Sequence, residues 1–455
     1  MNNYYANLSE IIGRRYDFSY ISFHYDISKY NCPIVPLYTL LKIKPQYGSG
    51  EAGIDRINDN IPRYVRITDI TSDGQLQDNL GVTAKNIEGK YILNNNDILI
   101  ARSGNTVGKS YIHITDKIKY TCFFAGYMIR FIVNDIKILP YYMFVYTQLP
   151  IYQRWVKATQ RITGQPNINA EEYCDLPVPL PLLDVQQKIV DIYTSALKAK
   201  QVKDEEAKSL LESIDTFLLE VLDITSNQHY EKKSIFSTTI SNLVGQRLDV
   251  SSYKEHFEMI SNKYPNRKLS SLVEIDPAIK FSSLNKDTTI SFIPMECIDE
   301  KYGEISEQRE ISISQIKGYT KFVEDDLLWA KITPCMQNGK SAIARHLKNG
   351  VGCGSTEYYV IRPKTEDLLI DYVYLILRHP EVLKSAQNSF GGSAGQQRVS
   401  SQYIKSIVIP YPSKDIQQSI VDAAFERKQR AKQLQKEGAE LLEQAKQEIE
   451  KRILG

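Results

Sequence analysis

Gly104-Asn-Thr-Val-Gly108-Lys109-Ser110 is the segment whose residue types could most readily do chemistry, since glycines followed by Lys-Ser can cradle nucleotide phosphates. The spacing argues against it. Only three residues separate the glycines where the phosphate-binding motif needs four, and a later Gly339-Lys340-Ser341 has Pro334 where the first glycine would stand. A strand-to-strand turn that presents a lysine suits both copies. Gly350-Val-Gly-Cys-Gly354 precedes a strand-like run instead of opening a helix, so it reads as a loop and not as a dinucleotide site. The six cysteines and six histidines are scattered with no C-x-x-C pair, which disfavours metal and disulfide chemistry. An adenine methyltransferase would need an Asn/Asp-Pro-Pro-aromatic loop, and the sequence has none.

Cations are the remaining candidates. Net charge is only +2, but the charge is segregated. Residues 98–170 hold nine Lys or Arg against Asp116 and Asp135, and residues 327–364 hold six against Glu357. Acidic residues crowd instead between Asp204 and Glu220. Two basic regions with an acidic one between them suit a polyanion held at two places. Arg102, Lys109, Arg161 and Gln165 in the first half, with Lys331, Lys340, Arg345 and Arg398 in the second, occupy turn-like places and are the candidate DNA contacts. No residue is a candidate for catalysis, cofactor binding or metal binding.

These residues need elements to position them, and the chain supplies the elements twice. Asp184-Val-Gln-Gln-Lys-Ile-Val-Asp191 recurs as Asp415-Ile-Gln-Gln-Ser-Ile-Val-Asp422, an offset of 231 residues. Near that offset Pro179-Leu-Pro181 matches Pro410-Tyr-Pro412, and Gly164-Gln165 matches Gly395-Gln396. Gly108-Lys-Ser110 matches Gly339-Lys-Ser341, and Gly13-x-Arg-Tyr-Asp17 matches Gly245-x-Arg-Leu-Asp249. A period this long means two homologous halves, each large enough for a domain.

Strands are expected over 64–70, 97–101, 126–132, 290–294, 326–330 and 357–361, and helices over 141–152 and 371–386. After each proline pair the pattern becomes a long amphipathic helix. The first runs from Asp184 to about Ile224, with apolar positions at Ile189, Tyr193, Leu197, Ala207, Leu211, Ile214, Leu218 and Leu222. The second runs from Asp415 to Leu454, with Ile416, Ile420, Ala424, Ala431, Leu434, Leu441, Ala445 and Ile449. At 1.5 Å per residue each would be roughly 60 Å long, a spacer more than a core element. An ordinary dimerisation arm would not explain two copies at matching places, so the two helices are expected to pair with each other.

Duplicated halves, each a mixed α/β region closed by Leu/Ile-x-x-Pro-x-Pro and an Asp-x-Gln-Gln-x-Ile-Val helix, resemble the specificity subunits of type I restriction-modification systems. The carriers are Leu176 to Asp191, Ile407 to Asp422, Asp97 to Gly104 and Thr163-Gly-Gln165. The resemblance implies an α+β fold with internal pseudo-two-fold duplication: two target-recognition domains, residues 1–182 and 227–412, joined by spacer helices at 183–226 and 413–455 that form an antiparallel coiled coil. It also implies a cytoplasmic, non-catalytic subunit that reads a bipartite, asymmetric site on double-stranded DNA. The expected partners are modification (methyltransferase) subunits, two of them, and restriction (translocase-nuclease) subunits, with no membrane. S-adenosylmethionine, ATP and Mg would be used by those partners and by nothing in this chain. A related type IIB-like system and a free-standing two-domain DNA-binding regulator are the alternatives.

Overall fold

The computed structural model describes residues 23, 27, 32–160, 165–224, 259–281, 284–387, 389–391 and 397–454. They divide into two compact units, one of Met1–Asp204 with Gln435–Gly455 and the other of Glu205–Leu434.

At the centre of the first unit is a strand, Ile98–Ala101, buried along its whole length. Ile98 and Ile100 face one apolar cluster and Leu99 faces another, as the two-residue period of a strand requires. A strand buried on both faces shows no polar alternation, so it reads as a continuous apolar run. It lies in an antiparallel sheet ordered Gln46–Tyr47, Met128–Phe131, Ile98–Ala101, Ser110–Ile112. Helices Pro140–Thr147 and Pro150–Thr159 contribute to the Ile98/Ile100 cluster. A second sheet contributes to the Leu99 cluster. It is ordered Gly53–Asp55, Val82–Ala84, Arg63–Val65, Cys122–Phe124, and its last two strands run parallel.

The other unit repeats this plan. Leu327–Ala330 is the buried strand, with Leu327 and Trp329 on one face and Leu328 on the other. Its sheet is ordered Val273–Ile275, Tyr358–Pro363, Leu327–Ala330, Ser341–Ile343. The second sheet again has a parallel pair, Thr289–Ile293 with Val351–Gly354. The copies differ at the edges. Here the fourth strand, Thr320–Val323, lies beside Val351–Gly354, whereas the first unit adds Gly53–Asp55 at the opposite side.

The six expected strands are all present, though the one expected over 64–70 ends at Val65. Beyond it the Asp69 carboxylate accepts the Arg66 N–H at 2.9 Å and folds Ile67–Asp69 into a 3₁₀ turn. The expected helices over 141–152 and 371–386 are each two helices. Leu149 (ψ 151°) and His379 (ψ 132°) take the extended conformation imposed by Pro150 and Pro380.

The recurring Asp-x-Gln-Gln motif has a structural cause. Gln186 is fully buried, accepts the Leu139 N–H at 2.9 Å and donates to the Pro181 carbonyl at 2.9 Å. Gln417 does the same with Leu369 at 2.9 Å and Pro412 at 3.0 Å. Each glutamine clamps the start of a sheet-packing helix to the proline segment. The second glutamine of each motif lies on the surface and donates four residues on, Gln187 to Asp191 and Gln418 to Asp422, both at 2.8 Å.

The long helices are Leu183–Val221 and Lys414–Leu454, and each contributes residues to both units. In the first unit Lys203 pairs with Glu437 at 2.6 Å, while Ile189 and Tyr193 share a core with Leu442 and Ile449. In the second, Arg427 lies 4.4 Å over the Phe217 ring, and Leu218 and Leu222 share a core with Ile420. Within each unit the two helices are therefore antiparallel. One expected core position is corrected: Leu441 is 38% exposed and Leu442 takes the buried place.

Candidate nucleic-acid interface

The loop after each buried strand is built on the same backbone frame. In the first unit the Arg102 N–H donates to the Tyr127 carbonyl at 3.0 Å, and the Arg102 carbonyl accepts the Ile168 N–H at 2.9 Å. Ser103 and Asn167 form an antiparallel bridge, closed by the Gly104 N–H on the Pro166 carbonyl at 3.0 Å. In the second unit Lys331 donates to Glu357 at 2.9 Å and accepts from Val399 at 2.9 Å. Ile332 bridges Arg398, and the Thr333 N–H meets the Gln397 carbonyl at 2.9 Å. Arg102 therefore corresponds to Lys331, Tyr127 to Glu357 and Asn167 to Arg398.

The side chains on this frame differ. The Arg102 guanidinium lies 4.9 Å over the Tyr47 ring, and Tyr127 beside it is 67% exposed. Gln165 is exposed at the same loop. In the second unit the Lys331 ammonium lies 5.0 Å over the Tyr359 ring. Arg398 grips Glu357 with Nε at 2.8 Å and Nη2 at 2.7 Å, and this pairing holds the Glu357 carboxyl below the usual range. Cations over rings beside exposed polar and aromatic groups can engage both phosphates and base faces.

Lys109 and Lys340 occupy matching hairpin loops, between Ile98–Ala101 and Ser110–Ile112 and between Leu327–Ala330 and Ser341–Ile343. A strand, a hairpin loop and a second antiparallel strand form no helix N-terminus for a nucleotide phosphate. Each lysine donates to the first carbonyl of a 3₁₀ turn, Lys109 to Ile67 and Lys340 to Met295, both at 3.3 Å. Burial lowers the Lys109 pKa. Arg345 is held by carboxylates on all three guanidinium nitrogens, Nε by Asp325 at 3.1 Å and Nη1 and Nη2 by Asp371 at 3.0 and 2.6 Å. Arg161 lies outside the described residues.

Of the eight candidates the frame thus gathers Arg102 and Gln165 in one unit and Lys331 and Arg398 in the other. Lys109, Lys340 and Arg345 lie beyond it and are engaged within their own units. Tyr47, Tyr127, Tyr359 and Asn167 were not singled out from the sequence, where a lone aromatic or amide carries no signal until the sheet places it beside a cation.

The basic windows also contain cations that face inward. Arg130 pairs with buried Asp97 at 3.1 Å, and Arg362 with buried Asp326 at 2.7 Å. Burial pushes the Cys122 thiol up to about 12 and the Cys353 thiol up to about 11, as befits small core residues. Among the described residues no group of three or more His, Cys, Asp or Glu could hold a metal ion, and no helix is long and apolar enough to cross a membrane.

With this geometry in place, comparison with known proteins gives the family. The chain belongs to the family described as the type I restriction modification DNA specificity domain, whose model matches residues 55–213 and 262–451. It is similar to the specificity subunits of two Escherichia coli type I restriction enzymes, EcoEI (37% identical over 154 residues) and EcoAI (39% over 158). Each match covers 34% of this chain and 26% of the relative, so the chain spans about a quarter of the length of these curated relatives. A chain from a structure of a type I R-M system, described for its complex assembly and conformational transition, shares the fold. It has TM-score 0.50 and 15% identity, over 93% of this chain and 98% of that one.

Proposed function

We propose that this chain reads a two-part, asymmetric site on double-stranded DNA as the specificity subunit of a type I restriction-modification enzyme. Residues 1–182 and 227–412 act as the two recognition domains, and 183–226 and 413–455 as the spacer helices. The observation that carries this reading is the pair of matching backbone frames with different side chains, in a chain of this family. Identical readers would select repeats of one half-site; readers that share a frame and differ in side chains select two different half-sites.

Arg102, Lys331, Arg398 and Gln165 form the centre of the DNA contact, with Lys109, Arg161, Lys340 and Arg345 flanking it. The chain positions partners and catalyses nothing. Two modification subunits transfer methyl groups from S-adenosylmethionine, and restriction subunits use ATP and Mg, all in the cytoplasm where the DNA is.

A methylome of cells expressing this chain with its modification partner tests the reading. The expected result is adenine methylation at one split motif with unlike halves, appearing only when both proteins are present, while the purified chain binds neither S-adenosylmethionine nor ATP. Cleavage beside the motif by a two-subunit complex points to a type IIB-like system. Sequence-selective DNA binding with no dependent methylation points to a free-standing regulator. Methylation by the chain alone sinks the proposal.

A further inference from the structure

Arg398 and Asn167 occupy the same place on the two frames, each bridged to the second residue of the loop that follows the buried strand. The environment of Arg398 is unusual for a phosphate contact. Glu357 lies against it, two bonds deep, and a carboxylate there weakens the local positive potential that draws a phosphate. What the carboxylate supplies is direction. A guanidinium gripped through Nε and Nη2 cannot swing, and a planar donor fork fixed in orientation is suited to the paired acceptors of a base edge.

The arginine nevertheless stays 43% exposed, while its carboxylate is 22% exposed behind it. Arg345 is equally exposed, but it lies off the frame and is held by two carboxylates. At the matching place in the first unit the side chain is an amide, and the residue corresponding to Glu357 is Tyr127, which offers no carboxylate.

From this arrangement we infer that the frame position held by Asn167 and Arg398 determines one base in each half-site, with Arg398 reading a guanine and Asn167 an adenine. Arginine presents two donors to guanine O6 and N7, and asparagine presents a donor and an acceptor to adenine N7 and N6. Glu357 is a positioning residue. The inference rests on the DNA-reading function proposed above.

The experiment is a methylome of cells expressing the full complex with Arg398→Gln, Arg398→Lys or Asn167→Ala. With Arg398→Gln, one guanine position in one half-site is expected to lose its preference by about tenfold or more, with the other half-site unchanged. Arg398→Lys, which keeps the charge and loses the fork, relaxes the same position. Asn167→Ala relaxes one adenine in the opposite half-site. A fall that is equal over all sequences and is restored by Arg398→Lys assigns the residue to phosphate and overturns the inference, as does an unchanged motif.

Should Arg398→Gln abolish methylation, competition binding by the assembled complex against single-base variants of the half-site decides in the same terms. A wild-type complex that methylates no split motif fails the DNA-reading function itself, and the base assignment falls with it.

Discussion

Asp326 holds Arg362 through two bonds of 2.7 Å, with its carboxylate fully buried behind the arginine. Arg130 and Asp97 repeat the pair in the first unit. Removing one partner strands a buried charge, which costs about 3 kcal/mol or more. Arg362→Met is therefore expected to lower the unfolding free energy by that amount in urea titration. A loss under 1 kcal/mol would show that the pair is solvated after all.

The cations on the surface should behave otherwise. Lys331→Ala is expected to weaken DNA binding evenly across sequences and to reduce the slope of log affinity against log salt by about 1. Arg345→Ala, whose ion pairs are partly exposed and already neutralise its charge, should cost about 1 kcal/mol of stability or less and reduce the slope by less than Lys331→Ala does. Fluorescence anisotropy of the assembled complex at several salt concentrations separates the two. Equal slopes for both variants would remove Lys331 from the contact.

A pH dependence follows from Asp215. Burial pushes its pKa from 3.8 up to about 6, against the opposing pull of Arg378 and with a smaller push from Glu212. Between those values the folded protein keeps a proton that the unfolded chain has lost, so this group takes stability away as pH rises from about 4 to 6 and holds the deficit above that. His379, pushed down to about 4 by burial, acts in the reverse sense. Stability from its neutral ring is full above the unfolded value and is lost as pH falls, so only a comparison of variants isolates the aspartate. Asp215→Asn should be more stable than the parent by about 1–2 kcal/mol at pH 7, with the gap closing below pH 4. A gap that does not change with pH would mean that Asp215 is well solvated.

Glycine is required at one hairpin more strictly than at its counterpart. Gly108 has φ +86°, and a β-carbon there would stand 2.6 Å from Val156 Cγ2. At Gly339, with φ +69°, the nearest atom would be Leu383 Cδ1 at 3.3 Å. Gly108→Ala is expected to cost about 2–4 kcal/mol and Gly339→Ala about 1–2 kcal/mol, read as shifts in thermal unfolding. The reverse order would indicate that helix Pro150–Thr159 shifts away freely.

The duplication and the buried strands were legible in the sequence because each leaves a signature of its own: six identities in eight at Asp184 and Asp415, and apolar runs such as Ile98-Leu-Ile-Ala101. The helix breaks carried a signal too, in Pro150 and Pro380, which apolar spacing alone overrides. Leu441 and Leu442 could not be separated, since adjacent leucines fit the period equally well and only the partner helix chooses between them. The interface was half legible. Counting charges finds Arg102 and Lys331, but it counts Arg130 and Arg362 with them, because burial beside an aspartate far along the chain is invisible to composition. The pairing of Glu357 with Arg398, 41 residues on and outside that window, left no sign in the sequence.

The first compact unit is assembled from Met1–Asp204 together with Gln435–Gly455, and the second lies unbroken between them in the chain. Leu442, Ile449 and Ile453 complete the first core, and Glu450 accepts the N–H of Ile151 at 2.7 Å. During synthesis, then, the part of the first unit that precedes Glu205 must wait for residues 435–455 to emerge before its interior closes, whereas residues 205–434 are made without interruption. Nascent chains cut just after Leu434 would carry a whole second unit behind an open first one, and quality control should find its cleavage sites within the first unit.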